Sequence, residues 1–360
     1  MSNRPEINFA SDNVAGVAPE ILAALTRANT GTAMPYGGDE WTEQVGTILS
    51  GIFEREVAAF PVATGTSANA LALATGMPPY GQIFCHESAH IEEDEAGAPE
   101  FYSGGAKLTV FSGENGKLSA NDLAARLASI DPDSAVHHPL PSAVSITQTT
   151  EKGTVYSLDE IAAISQVAHD HGLTVHMDGA RFANALVALD VTPAEMTWKA
   201  GIDVLSLGAT KNGAMAAEAV VFFDPAKAAD FEFRRKRGGH LVSKMRFISS
   251  QLIGYLQDDV WLSGARNANA AAARLDAGLQ DIPGVEILFP VQANMMFVTL
   301  SEPVLSALQE EGCRFYTWGE TPDGGVSARL VTTFNTTEEE TARFLDAARL
   351  GAGLSVGSAA

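Results

Sequence analysis

The stretch Asp203-Val204-Leu205-Ser206-Leu207-Gly208-Ala209-Thr210-Lys211-Asn212-Gly213-Ala214 decides the fold. Its first half reads as a short buried strand, apolar at 204, 205 and 207 and closed by Gly208. A lysine follows whose neighbours are nearly all small: Gly208, Ala209, Thr210, Gly213 and Ala214. Bulky neighbours would bar a flat ring from the tip of Lys211, whereas Gly and Ala admit one. A lysine held in a partly desolvated pocket also loses basicity, which makes its amine available as a nucleophile towards an aldehyde. A lysine picked at random is solvated. What sets Lys211 apart is the company it keeps.

Upstream, Leu173–Asp178 reads as a strand that stops at Gly179-Ala180-Arg181. A carboxylate at a buried strand end needs a partner, because unpaired burial is costly. For Asp178 a protonated ring nitrogen and a capped loop amide are both open. Arg181 could hold a ring oxygen or a substrate carboxylate in its planar fork. Further upstream, Val57–Ala63 reads as a strand running into Thr64-Gly65-Thr66-Ser67, which opens a helix. Small residues, hydroxyls and a helix N-terminus make a phosphate cradle there, although the same pattern is ordinary capping chemistry. All three features fall just beyond the carboxyl ends of strands, where α/β sheets place ligands. An anion cradle, a strand-end aspartate and a lysine among small residues are the parts that a pyridoxal phosphate site needs. The chain has no GxxxxGK, and no GxGxxG follows its first strand, so nucleotide readings lose their usual support.

Strands and helices alternate around these points. Pro19 opens a helical run to Leu25, and Trp41–Phe53 has a helical apolar period. Strands are expected at Ile83–Cys85 and Lys107–Phe111, joined by a glycine-rich connection. Others are expected at Ala143–Thr147 and Ala219–Phe223. Ser119 caps a helix to Ile130, and Ser157-Leu158-Asp159-Glu160 is a capping box opening a helix to His171. The alternation predicts an α/β fold with a largely parallel sheet covered by helices on both faces. After Asp224 the basic run Arg234–Arg237 leads through Gly238-Gly239 into helical segments at roughly 245–262 and 264–280. Strands at 295–300 and 326–332, with helices from Pro303 and Thr336, predict a smaller C-terminal α+β domain. The expected division is 1–240 for the large domain and 241–360 for the linking helices and small domain. Segment 1–30 is expected against the small domain or a partner subunit.

Composition narrows the classes. The formal net charge of −21 would repel a phosphate backbone, which argues against nucleic acid. Two cysteines, Cys85 and Cys313, give no framework of bridges and no metal spacing, so no metal is expected and a reducing compartment fits. Met1–Pro5 lacks the apolar run of a signal peptide, and no membrane-length apolar run occurs. The expectation is a cytoplasmic protein.

The chain is similar to the low-specificity L-threonine aldolases, in the β-eliminating lyase branch of the fold-type I pyridoxal-phosphate enzymes. The resemblance rests on Phe9-Ala10-Ser11-Asp12-Asn13, Pro35-Tyr36-Gly37-Gly38-Asp39, Ala63–Asn69 and Ser88-Ala89-His90. It continues in His176–Arg181, Ser206–Gly213 and Ala328–Thr332, so the motifs span nearly the whole chain. It implies an aspartate-aminotransferase-like large domain with a mostly parallel, seven-stranded-type sheet. It also implies roles. Lys211 would hold the cofactor as a Schiff base, Asp178 would pair with the pyridine nitrogen, and Gly65, Thr66 and Ser67 would bind the phosphate. His90 would lie against the ring, and Ser11, Arg181 and Arg329 would fix the substrate carboxylate. Arg237 and Arg246 would reach a cofactor phosphate, and Tyr36 a site, across a subunit boundary in a homodimer or homotetramer.

The implied reaction is retro-aldol cleavage of L-threonine, L-allo-threonine and related β-hydroxy-α-amino acids, phenylserine among them, to glycine and an aldehyde. Another pyridoxal-phosphate lyase or an aminotransferase on the same scaffold is the alternative. One departure concerns the base. Many relatives carry a histidine in an Asn-Thr-His-Asn-Gly-like loop, where this chain has Thr149-Thr150-Glu151-Lys152-Gly153. Histidine suits base work near neutral pH, whereas Glu151 would need its pKa raised by burial. As a Glu-Lys-Gly turn, Glu151 is expected to be solvated. His90 and Glu151 are both candidate bases, and a phosphate-bound water would also serve.

Overall fold

Strands form where apolar, often β-branched runs end at glycine or a polar cap. A computed structural model of the chain describes residues 6–321 and 324–355; Met1–Pro5, read above for a signal peptide, lie outside the described residues. In chain order the strands are β1 (Ile7–Asn8), β2 (Ala58–Val62), β3 (Gly81–His86), β4 (Lys107–Phe111), β5 (Leu140–Thr147), β6 (Thr174–Gly179) and β7 (Val204–Gly208). There follow β8 (Glu218–Phe222), β9 (Val285–Ile287), β10 (Met295–Leu300), β11 (Cys313–Arg314), β12 (Tyr316–Glu320) and β13 (Val326–Val331).

Seven of these make one sheet in the order β2-β8-β7-β6-β5-β3-β4. β7, β6, β5, β3 and β4 pair in parallel, while β8 runs against both β2 and β7. Six strands therefore end at one edge, and β8 begins there. Alternate residues point to opposite faces. Leu205, Leu207, Ala219 and Val221 join the core beneath helices Leu158–Asp170 and Phe182–Leu189. Val204, Val220 and Phe222 join a separate core with Ala68, Leu71 and Ala72 of helix Gly65–Ala74. Every residue of β3, β7 and β8 is buried, as a sheet covered on both faces requires.

The C-terminal part holds an antiparallel sheet, β12-β13-β10-β9, packed by helices Glu302–Glu311 and Glu338–Gly351. β1 pairs in parallel with β11, and Phe9 enters the same small core. The two large apolar cores divide inside helix Val260–Leu279: Trp261 and Ala265 belong to the larger, Ala272 and Leu275 to the smaller. The linking helix Arg246–Leu256 packs with the large core.

Several local expectations change. The connection between β3 and β4 holds two short helices, His90–Glu93 and Ala98–Ser103, rather than a glycine-rich loop alone. The two long helices run Arg246–Leu256 and Val260–Leu279, broken where Asp258 and Asp259 both take left-handed backbone angles. The basic run forms the last turn of helix Phe231–Arg237, where cations meet the negative end of the helix dipole. β1 and β11 are two residues long, too short to show a period.

Candidate active site

Two strand-end turns meet at the centre. A Cβ on Gly208 would sit 2.7–2.9 Å from the backbone of Ala180, so only glycine lets β7 end against the turn after β6. That contact brings the turn carrying Lys211 beside Asp178 and Arg181. Asn212 anchors it from below, donating from Nδ2 to the Trp261 carbonyl at 2.8 Å and to the Tyr255 hydroxyl at 3.2 Å. The Arg181 guanidinium and burial hold the Lys211 pKa below its usual value, against the opposing pull of Asp12, Asp178 and Glu218.

Lys211 lines a cavity of about 910 Å³ together with Thr64, Gly65, Thr66, Asn69, His90, Asp178 and Glu218. Space above Gly65 is open: a Cβ there would meet no atom within 4 Å. Gly65 is the first residue of a helix, so its end offers backbone N–H groups to an anion. Asp178 is fixed by two donors, the Ala180 N–H to Oδ1 at 2.9 Å and Asn69 Nδ2 to Oδ2 at 2.8 Å. An anion cradle, a less basic amine and a held carboxylate suit a phosphorylated aldehyde that carries a basic ring nitrogen.

A wider cleft of about 2050 Å³ opens on the other side of Lys211 and His90. Ser11, Glu151, Arg181 and Arg329 line it. Arg181 is gripped by Asp12, Nε to Oδ2 at 2.6 Å and Nη2 to Oδ1 at 3.1 Å, and Asn294 adds a third bond to the same carboxylate at 3.1 Å. Arg329 stacks over Tyr316, and its Nε is buried with no hydrogen-bond partner.

Glu151 is not the solvated turn residue expected. Its Oε1 accepts the His90 backbone N–H at 2.8 Å, and its Oε2 is buried without a partner. Burial, with the Asp178 charge added, pushes its pKa up to about 7. His90 is half-buried, with Nδ1 2.9 Å from Glu95, and this bond raises the histidine pKa. Asn69 Nδ2 donates to Glu95 as well as to Asp178, both at 2.8 Å. A hydrogen-bonded chain therefore runs from His90 through Glu95 and Asn69 to Asp178.

The structure thus brings Lys211, Asp178, Gly65, Thr66 and His90 to one cavity, and Ser11, Glu151, Arg181 and Arg329 to the adjoining cleft. It does not bring in Ser67, whose hydroxyl donates to the Thr64 carbonyl at 2.8 Å and whose N–H is capped by the Thr64 hydroxyl at 3.2 Å. Within one chain Tyr36, Arg237 and Arg246 line neither space. Tyr36 is exposed beneath Lys236, Arg237 is exposed, and Arg246 lies over Phe247. Sequence reasoning missed Asp12, Asn69, Glu95 and Glu218. Asp12 and Asn69 stood inside motifs already quoted, whereas nothing local marked Glu95 or Glu218.

The sequence pattern of the beta-eliminating lyases matches residues 8–303, and the chain belongs to that family. Within it, the chain is 46% identical over 333 residues to a low specificity L-threonine aldolase of a Pseudomonas strain, covering 92% of this chain and 93% of that one. It is 26% identical to the Saccharomyces cerevisiae low specificity L-threonine aldolase, covering 81% and 74%. Among solved structures, a Leishmania major threonine aldolase superposes with a TM-score of 0.90 at 29% identity, covering 96% of this chain and all of that one. A Sphingomonas wittichii serine palmitoyltransferase, at 17% identity and a TM-score of 0.71, shares the fold.

Proposed function

We propose that this chain is a pyridoxal-phosphate-dependent carbon–carbon lyase that cleaves L-threonine, L-allo-threonine and related β-hydroxy-α-amino acids to glycine and an aldehyde. The observation that carries the reading is the placement of Lys211, Asp178 and the Thr64–Thr66 cradle around one cavity. The likeness to L-threonine aldolases over nearly the whole chain supports the substrate class. Lys211 would hold the cofactor aldehyde, Asp178 the proton on its ring nitrogen, and Thr64, Gly65 and Thr66 its phosphate. When bound, pyridoxal phosphate supplies the electron sink that lets the Cα–Cβ bond break.

The rest falls to this chain's side chains. Arg181, set by Asp12, and Arg329 bind the substrate carboxylate, with Ser11 beside them; a fixed carboxylate orients the bond to be broken. Glu151, as carboxylate, takes the proton of the β-hydroxyl through its free oxygen. A base whose pKa lies near working pH is half in the right form and still strong enough to act. His90 covers the cofactor cavity, with its Nδ1–H held towards Glu95.

We place the enzyme in the cytoplasm, consistent with two buried unpaired cysteines. Among the described residues no helix is long and apolar enough to cross a membrane. Its sites lie near subunit boundaries of a homodimer or homotetramer, where Tyr36, Arg237 and Arg246 serve a neighbour. The test is a spectrum and a product assay. The purified protein should show the visible band of lysine-bound cofactor, and Lys211→Ala should lose it. Threonine should yield acetaldehyde and glycine in equal amounts; a keto acid in their place would overturn the reading.

A further inference from the structure

Glu218 is a buried carboxyl for which that reading has no task. β8 lies between β2 and β7 and runs against both, so its first residue emerges at the edge where they end. Glu218 pairs in register with Val62, just before Thr64, and with Gly208, just before Lys211. The carboxyl therefore stands on the strand between the phosphate cradle and the lysine, and it lines the same cavity as both.

Its surroundings oppose one another. The Ala209 N–H donates to Oε2 at 3.0 Å, and the Thr210 hydroxyl and the Lys211 cation also favour the carboxylate. Burial and the Asp178 charge favour the acid, and burial prevails, pushing the pKa up to about 7. His90 is the remaining titratable group facing this cavity. A phosphate on the neighbouring helix end adds negative charge where little water is left to screen it.

We propose that Glu218 takes up a proton from solvent when the phosphorylated cofactor binds, so that the loaded site holds a neutral carboxylic acid between Lys211 and the Thr64–Thr66 cradle. The inference rests on the assignment of that cradle to the phosphate. It makes phosphate recognition weaken with rising pH through one side chain of this chain, and it gives Glu218 an O–H to donate in the loaded state.

Pyridoxal phosphate and unphosphorylated pyridoxal are titrated into the apo-protein at pH 6, 7 and 8, with wild type and Glu218→Gln in parallel. For wild type the preference for the phosphorylated form should fall with pH, approaching roughly tenfold per pH unit above neutrality, the slope of one linked proton. Glu218→Gln should lack that part of the slope. The phosphate's own titration is common to both proteins and drops out of the comparison. Calorimetry on wild type alone, in buffers of different ionisation enthalpy at pH 8, should show about one more proton taken up with pyridoxal phosphate than with pyridoxal. Equal proton uptake for the two ligands, or the wild-type slope in a folded Glu218→Gln, overturns the proposal. Absence of any lysine-bound cofactor in wild type would instead overturn the underlying assignment.

Discussion

The two walls of the site are built differently. On the wall proposed to hold the cofactor, Thr64, Asp178, Lys211 and Glu218 stand at the ends of β2, β6 and β7 and the start of β8, each followed or preceded by small residues. Asp178 already has both oxygens occupied. The wall proposed for the substrate draws on five separate segments: Ser11–Asp12, His90, Glu151, Arg181 and Arg329. There Glu151 Oε2 and Arg329 Nε are buried with nothing to bind. Leaving such an atom unpaired costs about 1–3 kcal/mol, a cost that a ligand can return. Asn69 Oδ1, beside the other cavity, is likewise buried without a partner, so the walls differ in how many segments build them and in the charged groups, Glu151 and Arg329, that are left with an unpaired atom.

The contrast is sharpest at its two carboxyls. Burial and Asp178 push both Glu151 and Glu218 up to about 7, yet Glu151 keeps one oxygen free while Glu218 is held beside a lysine. Replacing Glu151 by Gln should therefore lower kcat roughly a hundredfold to ten-thousandfold, the usual share of a positioned base, while the lysine-bound cofactor spectrum persists. In wild type kcat/KM should rise with pH through about 7, as the carboxylate form grows, and that rise should vanish in the variant. If kcat holds, the free oxygen is not the base and the walls differ less than proposed.

Asp12→Ala tests the hinge between the walls. It leaves the Arg181 guanidinium uncompensated in a site where the two side chains are only 12% and 1% exposed, a loss of about 3–5 kcal/mol readable by urea unfolding. Burial alone would raise the Asp12 pKa, but the Arg181 and Lys211 charges and the bonds from Arg181 and Asn294 outweigh it and hold the pKa below its usual 3.8. This contribution is therefore present above that pH and is lost as pH falls through the lowered folded value. An unchanged urea midpoint would remove Asp12 from the account. Arg329→Ala should be milder and confined to the substrate side. One charged hydrogen bond of about 1.5–3 kcal/mol is ten- to a hundredfold in kcat/KM, with cofactor affinity unmoved. The smallest effect is expected of Glu95→Gln, which keeps a hydrogen-bond acceptor but removes the charge. Histidine NMR should show His90 losing its proton at a lower pH than in wild type, because the bond to Glu95 is what raises it. No displacement would mean that Glu95 only fills space.

The same division explains what could be read from the residues alone. The cofactor wall was legible because its chemistry is local: a buried run such as Val204–Gly208, a glycine, then the functional residue. The large sheet was legible for the same reason, each strand carrying its own cap or glycine stop. Glu151 was not, since Glu-Lys-Gly looks like a solvated turn. The turn is tied down by Thr150 and Thr154, whose hydroxyls both donate to the Asn115 carbonyl, and its carboxylate is met by a His90 N–H far away in sequence. Asp12 was quoted within a motif, yet its part in holding Arg181 depends on a partner 169 positions on. Arg329 carried no local signal of its own and was marked only by the resemblance; β13 places it in the lining of the cleft. Ser67 misled in the opposite sense, because a hydroxyl at a helix start serves the helix as readily as a ligand.

One reversed strand carries a further consequence. β8 is delivered to the ligand edge by its first residue, and side chains along a strand alternate between faces. A one-residue shift of β8 in its register would present an alanine methyl, of Ala217 or Ala219, where the acid now stands. It would also exchange the two cores that Val220 and Val221 fill, so the burial of both faces pins the acid at the ligand edge. The two-sided packing of that strand, as much as the identity of residue 218, selects what borders the lysine.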